Sequence, residues 1–122
     1  LGHRVSGGTD AGGIHEPDSW CLPGGKQEFG ETWQQAAVRE VKDESDLSVS
    51  DLELVGAGDD MAPDRHYLTL YVLAHSYTGI ARVNEPDKLD QWCWFDLDDL
   101  PENVYSPSRH FIDFYRQKEK TE

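Results

Sequence analysis

The sequence is poor in cysteine and in long apolar stretches. It contains two Cys among 122 residues, too few for a disulfide scaffold, and their spacing is not that of a zinc site. We therefore expect Cys21 and Cys93 to be reduced thiols. No apolar run approaches the roughly 18 residues that a membrane span requires, and no signal-peptide pattern opens the chain. These absences favour a cytoplasmic protein that does not bind membranes.

Basic side chains are also scarce. Eleven Lys and Arg stand against 24 Asp and Glu, which gives a formal net charge of −13, so we expect no binding to nucleic-acid polymers or anionic membranes. The five His show neither H-x-x-H nor H-x(3)-H spacing, which argues against a zinc site. Such an acidic chain can still bind a polyphosphate if divalent cations bridge the two, and that arrangement needs clustered carboxylates.

The length and composition fit one folded domain. Four Trp, five Tyr and four Phe supply large core-forming side chains, so the chain is not predicted to be disordered. The sequence has no internal repeat and no low-complexity tract. We expect residues 1–122 to form a single domain.

Two helices are predicted. A T-x-x-Q capping box at Thr32 and Gln35 opens the first, expected over residues 32–45. Its apolar stripe consists of Trp33, Ala36, Ala37 and Val41. The second helix is expected to begin with Ser106 as its cap and Pro107 at its first position, with Phe111, Ile112 and Tyr115 facing the core.

Strands are predicted at residues 20–22, 52–55, 67–75 and 91–95. Residues 67–75 (YLTLYVLAH) are nearly all apolar, which predicts a central strand buried on both faces. Residues 1–5 read as the end of a strand, and the first element is expected to be cut or missing because the chain does not start with Met. The glycine-rich residues 6–15 predict a flexible loop. The class is α+β or α/β, with a mixed sheet between helices.

Three carboxylates share one stripe of the first helix. Glu40, Asp43 and Glu44 stand at i, i+3 and i+4, within about 60° of one another. Like charges placed so closely cost a few tenths of a kcal/mol per exposed pair, and folding does not require them. They are either a solvated acidic face or the oxygen ligands of Mg²⁺ or Mn²⁺.

The pattern around these acids favours the metal site. It has the spacing of the Nudix box, G-x(5)-E-x(7)-R-E-U-x-E-E-x-G-U, where U is a bulky apolar residue. The matching positions are Gly25, Glu31, Arg39, Glu40, Val41, Asp43, Glu44 and Leu47. From Trp20 to Pro101 the sequence resembles the MutT-like Nudix hydrolases, in WCLPGGKQEFGETWQQAAVRE, HYLTLYV and EPDKLDQWCWFDLDDLP. The resemblance implies an α/β/α sandwich in which the box carries the metals.

The resemblance also implies a role for each matching residue. Glu40 and Glu44 match the main metal ligands, with Glu40 also placed to activate water. Asp43 matches a third ligand, and the Gly24 carbonyl matches a backbone ligand. The supporting positions are Arg39, which would orient the acids, Glu31 behind them, and Gly25, which with Gly24 would let the backbone approach the metal or phosphate. Asp90 falls where such enzymes carry a further acid, as an alternative base or ligand.

Two residues depart from the box. Asp43 stands where Glu is usual and is one methylene shorter, so it is expected to reach a metal only through water. Asp46 replaces the glycine at the helix end, where a left-handed conformation is often needed. Because Asp tolerates that conformation better than most residues, we expect the fold to survive and the activity to be reduced.

Other polar and aromatic residues have two possible interpretations each. Arg4 and Lys26 are candidates for phosphate contact or for plain surface positions. Thr69 is a candidate for contact with a base edge, although packing is the simpler reading. Trp92, like the aromatics Tyr67, Trp94 and Phe95, either stacks on a nucleobase or packs in the core; strand alternation places Trp92 and Trp94 on one face.

The function indicated by this resemblance is hydrolysis of a nucleoside or deoxynucleoside triphosphate, at the α–β linkage, to monophosphate and pyrophosphate. One alternative substrate is a nucleoside diphosphate linked to another group such as a sugar. Two readings from other classes are a Nudix module that binds a nucleotide without cleaving it, and a structural acidic domain. Homodimerisation is a further hypothesis, based on the resemblance and on the many aromatics.

Overall fold

The computed structural model describes residues 1–5 and 16–121. Its strands and helices are β1 (Gly2–Arg4), β2 (Trp20–Cys21), α1 (Trp33–Ser45), β3 (Ser48–Ala62), β4 (Arg65–Thr78), β5 (Leu89–Trp92) and α2 (Ser106–Thr121). The loop predicted for residues 6–15 lies outside the described residues. The predicted α+β class is confirmed: two helices accompany two antiparallel sheets, and an isolated parallel bridge joins Trp20 to Val104.

A three-stranded sheet has the order β2-β1-β5, so the strand predicted at the start of the chain is its central member. Both neighbours pair with β1 in antiparallel fashion, with Gly2 opposite Cys21 on one side and Trp92 on the other. A side chain at Gly2 would contact the Trp92 indole at 3.0 Å. Strand β5 ends at Trp92, earlier than the predicted residue 95.

A long antiparallel hairpin, β3–β4, forms the second sheet. Both strands extend well beyond the predicted 52–55 and 67–75. The expectation that residues 67–75 are buried on both faces is wrong, because β4 pairs with β3 alone among the described strands. Tyr71 is buried at 3% exposure, whereas Leu68 is 69% exposed.

Helix α1 begins and ends as its sequence predicts. The Thr32 side chain accepts from the Gln35 backbone N–H, and the Gln35 side chain accepts from the Thr32 N–H, which completes the capping box. At the other end Asp46 adopts the left-handed conformation with φ 66°, and its N–H donates to the Lys42 carbonyl at 3.0 Å. The Asp at the box's glycine position therefore performs the expected C-cap.

Helix α2 covers the hairpin. Ile112 is buried, and the Phe111 ring stacks on Tyr71 with centroids 4.7 Å apart, so the predicted core positions of these two residues are confirmed. The predicted Ser106 cap is corrected: both its hydroxyl and its N–H donate to the Glu16 carboxylate. A carboxylate suits the positive end of a helix. Within the described residues, no helix has the length and apolar character needed to cross a bilayer.

Candidate active site

The loop before α1 meets the acidic stripe of the helix at two glycines. The Gly24 N–H donates to Glu44 Oε2 at 2.8 Å. A Cβ on Gly25 would lie 2.5 Å from both carboxylate oxygens of Glu40, so only glycine allows this approach. A Cβ on Gly24 would meet no described atom within 4 Å. The predicted close approach of the backbone is therefore observed at Gly25, whereas no described contact requires glycine at position 24.

Arg39 joins the loop to the helix. Its guanidinium binds Glu31 in a bidentate pair, through Nε to Oε2 at 2.7 Å and Nη2 to Oε1 at 3.0 Å. Nη1 donates to Glu40 Oε1 at 2.7 Å and Nη2 to the Lys26 carbonyl at 3.0 Å. Arg39 and the Glu28 N–H hold the pKa of Glu31 at about 2, and the carboxylates raise the pKa of Arg39. This geometry fits the expected orienting role of Arg39, with Glu31 behind it.

Glu44 is the most perturbed carboxyl of the stripe. Burial raises its pKa to about 8, and the like charges of Glu40 and Glu85 act in the same direction, while the Gly24 N–H opposes them. Its backbone carbonyl accepts from the indole N–H of Trp92 at 3.1 Å. A carboxyl with its pKa raised by burial and by neighbouring acids, beside a loop with two glycines, marks a candidate functional position.

Asp43 does not join the other two acids. Its side chain is 58% exposed and lies 3.8 Å from Arg39 Nη1. No group of three or more His, Cys, Asp or Glu side chains forms a ready ligand set in the described part of the chain. The predicted stripe is thus a pair, Glu40 and Glu44, with Asp43 at its exposed edge.

The pair fits a hard divalent cation. Arg39 occupies one oxygen of Glu40 and the Gly24 N–H one oxygen of Glu44, while the second oxygen of each has no hydrogen-bond donor among the residues described. Their mutual repulsion contributes to the raised pKa of Glu44. Mg²⁺ or Mn²⁺ prefers such oxygen donors and would remove the repulsion.

Asp90, the acid predicted outside the box, pairs with a histidine. Asp90 Oδ1 pairs with His3 Nδ1 at 2.8 Å, and the other nitrogen of that ring pairs with Asp18 at 2.7 Å. The acid whose charge acts on Glu44 is Glu85, which the sequence prediction missed. The segment E-P-D-K-L-D contains three acids, Glu85, Asp87 and Asp90, and no local signal in the sequence distinguishes one of them from the others.

Three of the four predicted substrate contacts, Arg4, Lys26 and Thr69, touch residues that line one cavity, although none of the three lines it. The cavity has a volume of about 110 Å³ and lies between the tip of the β3–β4 hairpin and the start of α2, where Tyr67 and Tyr105 line it. The guanidinium of Arg4 lies 4.2 Å from the Tyr105 ring centroid, and Lys26 Nζ lies 5.5 Å from that of Tyr67. Thr69 donates to Asp60, a lining residue.

The remaining predicted contact, Trp92, lies apart from the cavity. It packs over Gly2 and under α1, which favours its packing reading. Trp94, predicted on the same face, is 70% exposed and contacts Tyr77 with centroids 5.2 Å apart. Phe95 contacts Trp20 edge-on at 5.2 Å. Both cysteines are free, as expected.

The family comparison matches the region that carries these features. The model of the NUDIX domain family matches residues 4–115. Among solved structures, the MutT NUDIX hydrolase from Burkholderia pseudomallei superposes with a TM-score of 0.82 at 30% identity, covering 93% of this chain and 84% of that one.

Curated relatives carry the names of hydrolases. The ADP-ribose pyrophosphatase of Methanocaldococcus jannaschii is 30% identical over 101 residues, and the NAD-capped RNA hydrolase NudC of Pseudomonas aeruginosa is 35% identical over 101 residues. Both alignments cover 81% of this chain. The chain spans 59% of the length of the first relative and 35% of the second.

Proposed function

Because the chain belongs to the NUDIX family, we propose that it hydrolyses a phosphoanhydride bond of a nucleotide with the help of a divalent cation. The observation that carries the proposal is the contact between loop and helix, in which Gly24 binds Glu44 and Gly25 leaves room only for the Glu40 carboxylate. This contact gathers two carboxylates beside the loop that precedes α1. A structural acidic face would not need the glycine at position 25.

The proposed ligands for Mg²⁺ or Mn²⁺ are Glu40 and Glu44, with the Gly24 carbonyl and Asp43 as further candidates. When bound, such a cation neutralises phosphate oxygens and polarises water. Glu40, held by Arg39 Nη1 at 2.7 Å, is the proposed acceptor of a proton from the attacking water. Asp90 stays a candidate acid outside the box, and Glu85 joins it because its charge acts on Glu44.

The preferred substrate is a nucleoside or deoxynucleoside triphosphate. The oxygen of water forms a bond to one of the two phosphorus atoms of the α–β linkage, and the bridging oxygen leaves with the other. The proton of the water passes to a carboxylate, and the products are a nucleoside monophosphate and pyrophosphate. Lys26, between Arg39 and the cavity, is the proposed phosphate contact.

A second candidate is a nucleoside diphosphate linked to another group. The names of the relatives support it, since one is an ADP-ribose pyrophosphatase and another acts on NAD-capped RNA. The formal net charge of −13 disfavours a long RNA strand, so ADP-ribose is the better test compound. For this substrate too, Glu40 and Glu44 are the proposed cation ligands, and a phosphoanhydride bond is cleaved.

The experiment is a product analysis of the purified chain with Mg²⁺ and a panel of nucleoside triphosphates, ADP-ribose and NADH. We expect monophosphate and pyrophosphate from at least one triphosphate, and no products when the cation is chelated. Products from ADP-ribose or NADH alone would transfer the proposal to the second candidate. Nucleotide binding without products from any compound would contradict both and favour a non-catalytic module.

A further inference from the structure

The cavity at the hairpin tip contains a buried carboxylate that the proposed chemistry does not use. Asp60, in β3, lines the cavity and has an exposed side-chain fraction of 8%. Its Oδ1 accepts from His110 Nδ1 at 2.7 Å and its Oδ2 from Thr69 Oγ1 at 2.5 Å. An ionised carboxylate has about four acceptor positions on its two oxygens, so these two contacts leave acceptor capacity on both.

Folding alone gives little reason for an acid at this place. Removing a carboxylate from water costs several kcal/mol unless partners compensate. The hydroxyl of Thr69 is a neutral partner, and His110 is 54% exposed. The neighbouring Asp59 shows the cheaper arrangement, since it is 60% exposed while paired with His66 at 2.8 Å.

The lining of the cavity disfavours an anionic group and suits a planar one. Glu16 and Asp60 both line it, and the guanidinium of Arg65, also in the lining, is paired with Asp64 at 2.7 Å. The two aromatic lining residues, Tyr67 and Tyr105, offer ring faces to a flat ligand. At about 110 Å³ the cavity is well below the roughly 300 Å³ of sites for whole drug-sized ligands. It therefore fits one ring system rather than a complete nucleotide.

A series of contacts links the lining of the cavity to the candidate site. Lys26 reaches the Tyr67 ring with its ammonium group at 5.5 Å, and its carbonyl accepts from Arg39. Arg39 in turn holds Glu40. A nucleotide with its phosphates at Glu40 and Glu44 would pass Lys26 before its uncharged end enters the cavity.

We propose that Asp60 is a specificity-determining residue that accepts hydrogen bonds from the exocyclic amino group of a purine base held between the hairpin tip and the start of α2. The assignment rests on the proposed function for the identity of the ligand as a nucleotide. Carboxylate oxygens only accept hydrogen bonds, so a base with N–H donors at this place would bind more tightly. A base with a carbonyl oxygen at the same place would be repelled. A hydrogen bond to a charged group corresponds to about a 10- to 100-fold preference.

The test is equilibrium binding of GMP, AMP and IMP, which does not depend on turnover. IMP lacks the exocyclic amino group that GMP and AMP each carry. We expect the parent to bind GMP or AMP about 10- to 100-fold more tightly than IMP. Asp60→Asn should reduce that ratio to within about threefold, because a neutral amide accepts a weaker hydrogen bond from the amino group than a carboxylate does. Asp59→Asn, the exposed neighbour, should leave the ratio unchanged.

Equal binding of the three monophosphates, or a preference that survives Asp60→Asn, would overturn the inference, and so would the absence of any binding. A purely structural role for Asp60 would lower the melting temperature of Asp60→Asn without changing the ratio. Phosphoanhydride hydrolysis measured on the same samples separates the two proposals. A binding preference without hydrolysis would contradict the proposed reaction and support the role of Asp60. Hydrolysis without a binding preference would support the reaction and contradict the role of Asp60.

Discussion

Two adjacent glycines allow a matched test of the geometry around Glu40. A Cβ at position 25 would lie 2.5 Å from both carboxylate oxygens, whereas ordinary contact begins at 3.4 Å, so the carboxylate must move by about 0.9 Å. A misplacement of about 1 Å costs on the order of 100-fold in rate, or about 2.7 kcal/mol of transition-state stabilisation. We therefore predict that Gly25→Ala lowers kcat/KM about 100-fold.

The control is Gly24→Ala, because a Cβ there meets no described atom within 4 Å and the N–H to Glu44 is retained. The carboxylate is the end of a flexible side chain, so Gly25→Ala should unfold within about 1 kcal/mol of Gly24→Ala in a urea titration. The assay is the initial rate of nucleotide hydrolysis at saturating Mg²⁺. Equal rates in the two variants would refute the reasoning, and so would a loss of rate in Gly25→Ala explained by unfolding.

The remaining predictions concern the charges and ends of α1 and the state of association. Arg39→Lys keeps the charge and loses the bidentate contact, so hydrolysis should fall about 10- to 100-fold; an unchanged rate would remove the orienting role. The pKa of Glu44 is raised from 4.5 to about 8, so its contribution to stability is complete below pH 4.5 and is lost as the pH rises through 8. Without metal, the melting temperature of the parent minus that of Glu44→Gln should fall across this range, and a flat difference would contradict the burial of Glu44. Asp46→Ala should unfold about 1 kcal/mol more easily than Asp46→Gly in urea, because φ is 66°; equal stabilities would show that the left-handed cap costs nothing. Sedimentation should detect a homodimer, and a monomer at high concentration would exclude it.

Local signals predicted the helices well. The capping box at Thr32, the apolar stripe after it and the left-handed position of Asp46 all depend on residues within one turn of one another. The box spacing likewise selected Arg39 and Glu40, which the structure brings into contact. Such contacts join residues that are close in the sequence, so the sequence pattern is enough to predict them.

The sequence predicted less well those features that depend on which distant segments become neighbours in the fold. The apolar run at 67–75 predicts a strand, but whether Leu68 is buried depends on how many strands flank it, and β4 has one. Asp90 and Glu85 are equivalent in sequence terms, and only the path of the chain after β4 determines that the charge of Glu85 acts on Glu44 while Asp90 pairs with His3. The cavity was not predictable as such, because separate segments of the chain form it.

Glu40 and Glu44 are proposed to hold a divalent cation that is required for cleavage of a phosphoanhydride bond. The most direct test is the initial rate of hydrolysis of the best nucleotide substrate as a function of Mg²⁺ concentration, in the parent and in Glu44→Gln. The parent should show a rate that rises to saturation with Mg²⁺ and disappears on chelation, and the variant should be slower by at least about 100-fold. A rate that is independent of Mg²⁺, or equal in parent and variant, would contradict the claim.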